Sequence, residues 1–379
     1  MASFRNELEI GYIEMAVVKY SWTTYNTLKL NGIKYSRSEL LLLAKRKMQD
    51  AKCADWEKFI FSFVLEWLNG DSFVWVKTSG STGKPKTIQI EKDKMVASAL
   101  ATNSFFNLDE QKTALLCLSA EFIAGKMMLV RAFVGGFDLH YRAPQSDALL
   151  LNTKTYTFAA IVPLQLEAAL KTKAKVLNLI SKIIIGGAAI RQESIEKLQD
   201  LESEFWSTYG MTETITHIAL QALNGKQKTN YFQALDGVQF SVNDKACLCI
   251  SAPYIQKEKI QTNDSVELLS STQFRFLGRA DFVINSGGIK LSPEVLEQKI
   301  AKYIDSDFAF SSKLDQKLGE KLVLVIEGEK DSRLSQINKA LDTVLGRFER
   351  PKEILFIPKF PKTKSGKIDR NALKSDLLK

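Results

Sequence analysis

Val76-Lys77-Thr78-Ser79-Gly80-Ser81-Thr82-Gly83-Lys84-Pro85-Lys86-Thr87-Ile88-Gln89-Ile90 sets hydroxyls, two glycines and three lysines between two apolar runs. Phe73 to Val76 predicts a strand entering the stretch, and Thr87 to Ile90 a strand leaving it. Such a loop wraps a phosphate well: glycines let backbone N–H groups approach, hydroxyls donate, and lysines supply charge. The Walker A pattern does not fit. Thr78 stands where its first glycine is needed, and Pro85 stands where Ser or Thr must follow Lys84. The residue before a proline also avoids the helical region, so no helix starts at Lys84. Taken alone, the loop leaves a plain polar linker as the alternative.

Outward from the loop, the N-terminal side is short. Residues 1–14, up to Met15, lack periodicity and read as a poorly ordered terminus, with Met15 as an alternative start. Thr27 to Tyr35 alternates apolar and polar around Asn31-Gly32, a hairpin signal. Ser36 with Glu39 forms a capping box, and Trp56 to Leu68 is an amphipathic helix. On the other side, helices are expected over Lys92 to Phe106, Ala124 to Val134 and Glu193 to Asp200. Strands are expected over Thr113 to Leu118, Phe158 to Val162, Val176 to Leu179, Lys182 to Ile185 and Glu204 to Thr208. This alternation predicts an α/β fold with a mainly parallel sheet. From Gln233 to Leu269 strands and turns suggest a small β subdomain. Helices over Glu294 to Ile304 and Leu334 to Leu345, with a strand over Leu322 to Glu327, predict a C-terminal α+β domain. The boundary falls near Asp281, giving domains 1–280 and 281–379.

Composition excludes several classes. The chain has 379 residues, 45% hydrophobic and 25% charged, as a globular protein does. Four cysteines, Cys53, Cys117, Cys247 and Cys249, make no C-x-x-C pair, so reduced thiols in the cytoplasm are expected. Two histidines, His140 and His217, exclude a histidine-rich metal site. The longest apolar stretch, Val176 to Ile190, carries Ser181, Lys182 and two glycines, so it is no membrane span. The net charge is +9, and residues 351–379 alone hold eight Lys/Arg against three Asp/Glu. These basic residues are not interleaved with aromatics. Polyanionic small molecules therefore fit better than nucleic acid.

Three further segments decide the class. They are Ser207-Thr208-Tyr209-Gly210-Met211-Thr212-Glu213-Thr214, then Gly278-Arg279-Ala280-Asp281 running into Ser286-Gly287-Gly288, then Pro361-Lys362-Thr363-Lys364-Ser365-Gly366-Lys367-Ile368. Together with the loop, and in the same order, they resemble the signatures of the acyl-adenylate-forming superfamily of acyl-CoA synthetases, luciferases and adenylation domains. The resemblance runs from about Phe73 onward. Members usually carry a much longer segment before the loop.

The resemblance implies two half-reactions: a carboxylate attacks the ATP α-phosphate, then CoA thiol displaces AMP. It implies that Thr78, Ser79, Gly80, Ser81, Thr82, Gly83 and Lys86 surround the β- and γ-phosphates. Gly187 and Ala188 would present backbone to adenine, Tyr209 would stack on it, and Gly210 would belong to the same nucleotide-binding set. Thr212 would meet the α-phosphate, Glu213 would help hold Mg²⁺, Asp264 would bind the ribose, and Arg279 the ribose or phosphate. Asn263 stands where members usually have Gly. Asp281 matches the hinge of a mobile C-terminal domain. Gly287 and Gly288 would approach the pantetheine arm of CoA, and Lys367 would neutralise charge during adenylation.

The short start, the Leu30-Asn31-Gly32 hairpin, Val162-Pro163-Leu164-Gln165-Leu166, and Ala124 to Arg131 resemble the short bacterial 2-succinylbenzoate–CoA ligases of menaquinone biosynthesis. That acid carries a second, ring carboxylate, which needs a cation or several donors. Lys126 and Arg131 are the candidates; five residues apart, they diverge by about 140° around a helix. Lys126, nearer the helix start, is the expected partner. His217 either lines the acid pocket or packs. The alternatives are another aryl-acid CoA ligase, such as one for phenylacetate, or an adenylation module serving a separate carrier protein. Oligomeric state is open, a homo-oligomer included.

Overall fold

The computed structural model describes residues 21–77, 87–150, 153–329, 334–363 and 368–378. The loop residues Thr78 to Lys86, Lys367 and the N-terminal segment around Met15 lie outside the described residues.

The chain starts with the hairpin β1 (Leu28–Leu30) and β2 (Ile33–Tyr35). Asn31 and Gly32 both have positive φ, 49° and 88°, as a two-residue hairpin turn requires. The Gly32 N–H donates to Asp138 Oδ1 at 2.8 Å, fixing the hairpin to the sheet. Ser36 caps helix α1 (Arg37–Gln49) through the expected capping box with Glu39. Helix α2 (Asp55–Leu68) buries Ile60, Phe61, Phe63, Val64, Trp67 and Leu68, an apolar face at helical spacing. Strands β3 (Phe73–Lys77) and β4 (Thr87–Glu91) form a separate antiparallel hairpin whose last pair is Lys77 opposite Thr87.

Helix α3 (Lys92–Phe106), strand β5 (Thr113–Leu116), helix α4 (Ile123–Gly135) and strand β6 (Asp138–Tyr141) follow. Next come β7 (Tyr156–Ile161), α5 (Pro163–Lys173), β8 (Ile180–Ile185), α6 (Gln192–Lys197), β9 (Glu204–Gly210) and β10 (His217–Ala222). The strands β1, β6, β5, β7, β8 and β9 lie parallel in that order. Apolar runs such as Ile183-Ile184-Ile185 are buried because helices cover both faces. One expectation fails here. Val176 to Leu179 is not a strand but part of a 3-10 turn, Ala174–Leu179. Four apolar residues cannot distinguish a strand from a buried helical turn, and Val176 and Leu177 are buried either way.

Strand β10 turns the sheet antiparallel. The strand-and-turn stretch then supplies β11 (Phe232–Ala234), β12 (Gln239–Val242), β13 (Cys247–Ser251), β14 (Ile260–Ser270) and β15 (Gln273–Arg279). They hydrogen-bond onward from β10 in the order β11, β15, β14, β13, β12, making one sheet of thirteen strands among the described residues.

A second sheet begins after the short turn Ala280–Phe282. It contains β16 (Ile284–Ser286), β17 (Ile289–Leu291), β18 (Phe308–Asp315), β19 (Gly319–Glu327) and β20 (Glu353–Ile357). Helices α7 (Pro293–Ile300), α8 (Leu334–Val344) and α9 (Arg370–Leu377) accompany it. The buried apolar clusters of the first sheet end at Phe274 and those of the second begin at Ile284, with no buried residue shared. The fold is α/β in its large part and α+β in its small one.

Candidate active site

Strands β7, β8 and β9 end on one edge of the parallel sheet, the edge where such sheets receive ligands. Two glycines there are dictated by close approach. A Cβ on Gly186 would lie 2.4 Å from Thr208 Oγ1, and one on Gly210 would lie 2.4 Å from the Thr216 carbonyl. Gly187 and Ala188 follow β8 and are exposed. Thr212 to Thr214 form a 3-10 turn after β9, with the Glu213 side chain exposed and no carboxylate ion pair to it among the described residues. Ile215 then has φ 67° and ψ −57°, and the Thr216 N–H bonds back to the Thr214 carbonyl at 2.7 Å. This is a γ-turn of the strained hand, held by a buried β-branched residue. It reverses the chain so that His217 pairs with Gly210. The residues before and after the turn therefore serve one location.

Tyr209, Asp264, Arg279 and Asp281 are joined. The Tyr209 hydroxyl donates to Asp264 Oδ2, and its ring packs on Phe274 at 5.0 Å and Phe232 at 5.7 Å. Burial, with the Asp264 charge beside it, pushes the Tyr209 phenol far up, so it stays a donor. Asp264 and Arg279 are partners across β14 and β15, with Arg279 Nε 3.3 Å from Asp264 Oδ1. Arg279 also donates to Asp281 Oδ2 at 2.9 Å, and Asn263 Nδ2 donates to Asp281 Oδ1 at 3.1 Å. Asn263 thus steadies the boundary residue. Gly287 and Gly288 sit apart, in the turn between β16 and β17, both with positive φ.

Lys126 is already engaged within the protein. Its Nζ bonds Glu66 Oε2 at 3.0 Å and the Trp75 carbonyl at 3.1 Å, and it lies over the Phe63 ring. Glu66 Oε1 accepts from the Trp75 N–H at 2.8 Å. Lys126 and Glu66 together satisfy both backbone groups of Trp75, two residues before the end of β3. The expectation that Lys126 faces the acid is corrected: its charge is already compensated and its donors are used.

Arg131, on the other face of α4, is the opposite case. It is 1% exposed, yet among the described residues no carboxylate pairs with it. Its NH2 donates to Thr216 Oγ1 at 3.2 Å and its NH1 lies 3.6 Å from Met128 Sδ, while its Nε has no partner. Burial alone lowers its pKa to about 9, still protonated at neutral pH. Ser98 Oγ and Asn103 Oδ1, on α3, are also buried without partners. His217 Nε2 lies 3.2 Å from Thr102 Oγ1, which reaches the Ser98 carbonyl at 3.2 Å; His217 Nδ1 lies 3.5 Å from Thr216 Oγ1. A neutral His217 with its proton on Nε2 satisfies this chain in one direction, from Arg131 through Thr216 and His217 to Thr102. Burial, then the Arg131 charge, holds the His217 pKa well below its usual value, which keeps it neutral. The guanidinium thus lies buried beside hydroxyls and an imidazole, with no carboxylate paired to it among the described residues, an arrangement that costs free energy unless an anion offsets it. Thr102, Thr216 and the γ-turn were not legible in the sequence: hydroxyl residues are common, and nothing local marks a β-branched residue for positive φ.

A model of the AMP-binding enzyme family matches residues 37–248. The 2-succinylbenzoate–CoA ligase of Listeria monocytogenes is 26% identical over 324 residues, spanning 78% of this chain and 68% of that protein. A crystal structure of an acyl-CoA synthetase (AMP-forming)/AMP-acid ligase II-like protein from Dyadobacter fermentans is 35% identical, covering 89% of this chain and 98% of its own, with a TM-score of 0.59. The Bacillus subtilis o-succinylbenzoate CoA synthetase, solved with its acyl-adenylate intermediate, has a TM-score of 0.76 at 16% identity, over 95% and 97% of the two chains. The chain belongs to the AMP-binding enzyme family, as an AMP-forming acid–CoA ligase.

Proposed function

We propose that the acid is 2-succinylbenzoate, activated with ATP as 2-succinylbenzoyl-AMP and transferred to CoA, as in menaquinone biosynthesis. The observation that carries this reading is Arg131. Its guanidinium is buried without an anion, directly behind the turn that joins Tyr209 to His217. A second carboxylate on the acid supplies the missing charge, while the succinyl carboxylate points to Thr212 and the α-phosphate. An acid with one carboxylate leaves Arg131 unpaired. The names of the curated relatives support the same choice.

Within this reading, residues 1–280 bind nucleotide and acid, and residues 281–379 form a hinged domain. Segment 78–86 holds the outer phosphates. Gly187, Ala188, Tyr209 and Gly210 line the adenine, and Asp264 and Arg279 hold the ribose side. Asp264 accepts from Tyr209 in this structure, so ribose hydroxyls share or replace that bond. Among the described residues no cluster of three His, Cys, Asp or Glu is placed to hold a metal. A Mg²⁺ ion would be carried by phosphate oxygens, with Glu213 as the protein's hard donor. Bound there, it offsets phosphate charge. Thr212 orients the α-phosphate, and Lys367 neutralises charge between carboxylate and phosphate. Among the described residues no helix is long and apolar enough to cross a membrane.

The test is Arg131→Met with pyrophosphate release as readout. For 2-succinylbenzoate KM should rise about a hundredfold, roughly 2.7 kcal/mol, with the ATP KM unchanged. Benzoylpropionate, which lacks the ring carboxylate, should be unaffected. Because the variant removes an uncompensated buried charge, its Tm should hold or rise. Wild type indifferent to the ring carboxylate sinks the substrate; a lost Tm with unchanged discrimination makes Arg131 structural.

A further inference from the structure

Away from the boundary, charged side chains join the two parts of the chain. Arg191 stands at the end of the loop that leaves β8 through Gly187. Its Nε lies 3.3 Å from Glu167 Oε1 on α5, and its NH2 bonds Asp307 Oδ1, at the start of β18, at 2.6 Å. The second oxygen of Asp307 receives Lys362 Nζ at 2.7 Å. Lys362 and Ile368 form an antiparallel bridge, and the Asp369 N–H bonds the Pro361 carbonyl at 2.8 Å. One carboxylate therefore ties the loop after β8 to Lys362, which is itself bridged to Ile368. With Arg279–Asp281 at the boundary itself, it joins the two parts through paired charges. Burial pushes the Asp307 carboxyl up, but Lys362 and Arg191 outweigh it and hold it below its usual range. The tie is ionised at neutral pH.

Two bodies with separate cores and a polar contact move relative to each other by default. A network of partly exposed charges adds little stability but biases which arrangement is populated. We propose that Arg191 is a positioning residue for the first half-reaction: through Asp307 it holds the C-terminal part, at Lys362, against the loop that follows β8, and it lets go for the second. This rests on the two-step acid–CoA ligase reading. In this role Arg191 acts through Asp307 and Lys362.

The experiment measures the half-reactions separately in the full-length protein. Pyrophosphate release from ATP and acid reports the first; thioester formation from synthetic acyl-AMP and CoA reports the second. Arg191→Ala and Asp307→Asn should each lower kcat of the first about fivefold, leave the ATP KM alone, and leave the second unchanged or faster. The double variant should lose no more than either single one. Arg191→Lys should recover most of the rate, and added salt should slow wild type toward the variants. Equal losses in both half-reactions, additive losses, or a fall in Tm that accounts for the rate overturn the proposal. If wild type releases no pyrophosphate with any carboxylic acid, the activity reading has failed instead.

Discussion

At the scale of single residues, the site is defined by what is left unpaired. Arg131 and Lys126 lie on the same helix and are both nearly buried, yet Lys126 has a carboxylate and a carbonyl while Arg131 has neither carboxylate nor a partner for Nε. Helical spacing gives the angle between the two side chains, not which of them meets Glu66. Beside Arg131, His217 makes a measurable prediction. Its folded pKa is depressed, through burial first and Arg131 second, so the native state excludes a proton that the unfolded chain binds. Stability is then full above the unfolded value, about 6.5, and falls as pH drops below it, by about 1.4 kcal/mol per unit for one site. Urea melts of wild type between neutral pH and pH 5 should show this loss, and His217→Asn should flatten it. Identical slopes for both would place the acid sensitivity elsewhere.

At the scale of elements, helix α4 is shared by two tasks. One face buries Arg131 toward β10, and the other sends Lys126 to β3. Strand β3 belongs to a two-stranded hairpin, which is marginal alone. Glu66 from α2 and Lys126 from α4 anchor it at Trp75, just before segment 78–86. Lys126→Met should cost about 1–3 kcal/mol of stability, because it leaves Glu66 without its partner. ATP affinity should weaken, read by calorimetry, while discrimination between 2-succinylbenzoate and benzoylpropionate stays as in wild type. A change in acid discrimination with normal ATP binding would return Lys126 to the acid pocket. The γ-turn at Ile215 acts at the same scale: it folds β9 onto β10 so tightly that only glycine fits at Gly210.

At the scale of the whole molecule, the two cores meet at a short turn in which Asp281 is held by Arg279 and Asn263. Proline fixes φ, so Asp281→Pro should freeze one arrangement of the two parts and abolish one half-reaction far more than the other. Asp281→Ala removes the same carboxylate but leaves the backbone free, and should spare both. Equal small losses in the two variants would move the hinge away from this residue.

The sequence by itself determined the elements and the class. Ser36 with Glu39, Asn31-Gly32 and the 3.6-residue stripe of α2 act through neighbours in the chain, so local chemistry suffices to place them. The ordered segments, the 76–90 loop and those around Tyr209, Arg279 and Lys367, named the chemistry because each is a short contiguous string. Only the tertiary structure decided which of the two cations on α4 is paired with a carboxylate, that Thr102 and Thr216 link His217 to Arg131, and that Arg191 reaches Asp307. Those facts depend on side chains 60 to 116 positions apart meeting in a low-dielectric interior or across a polar contact. Whether a charge is compensated there is a property of the packed neighbours and not of the string that carries it.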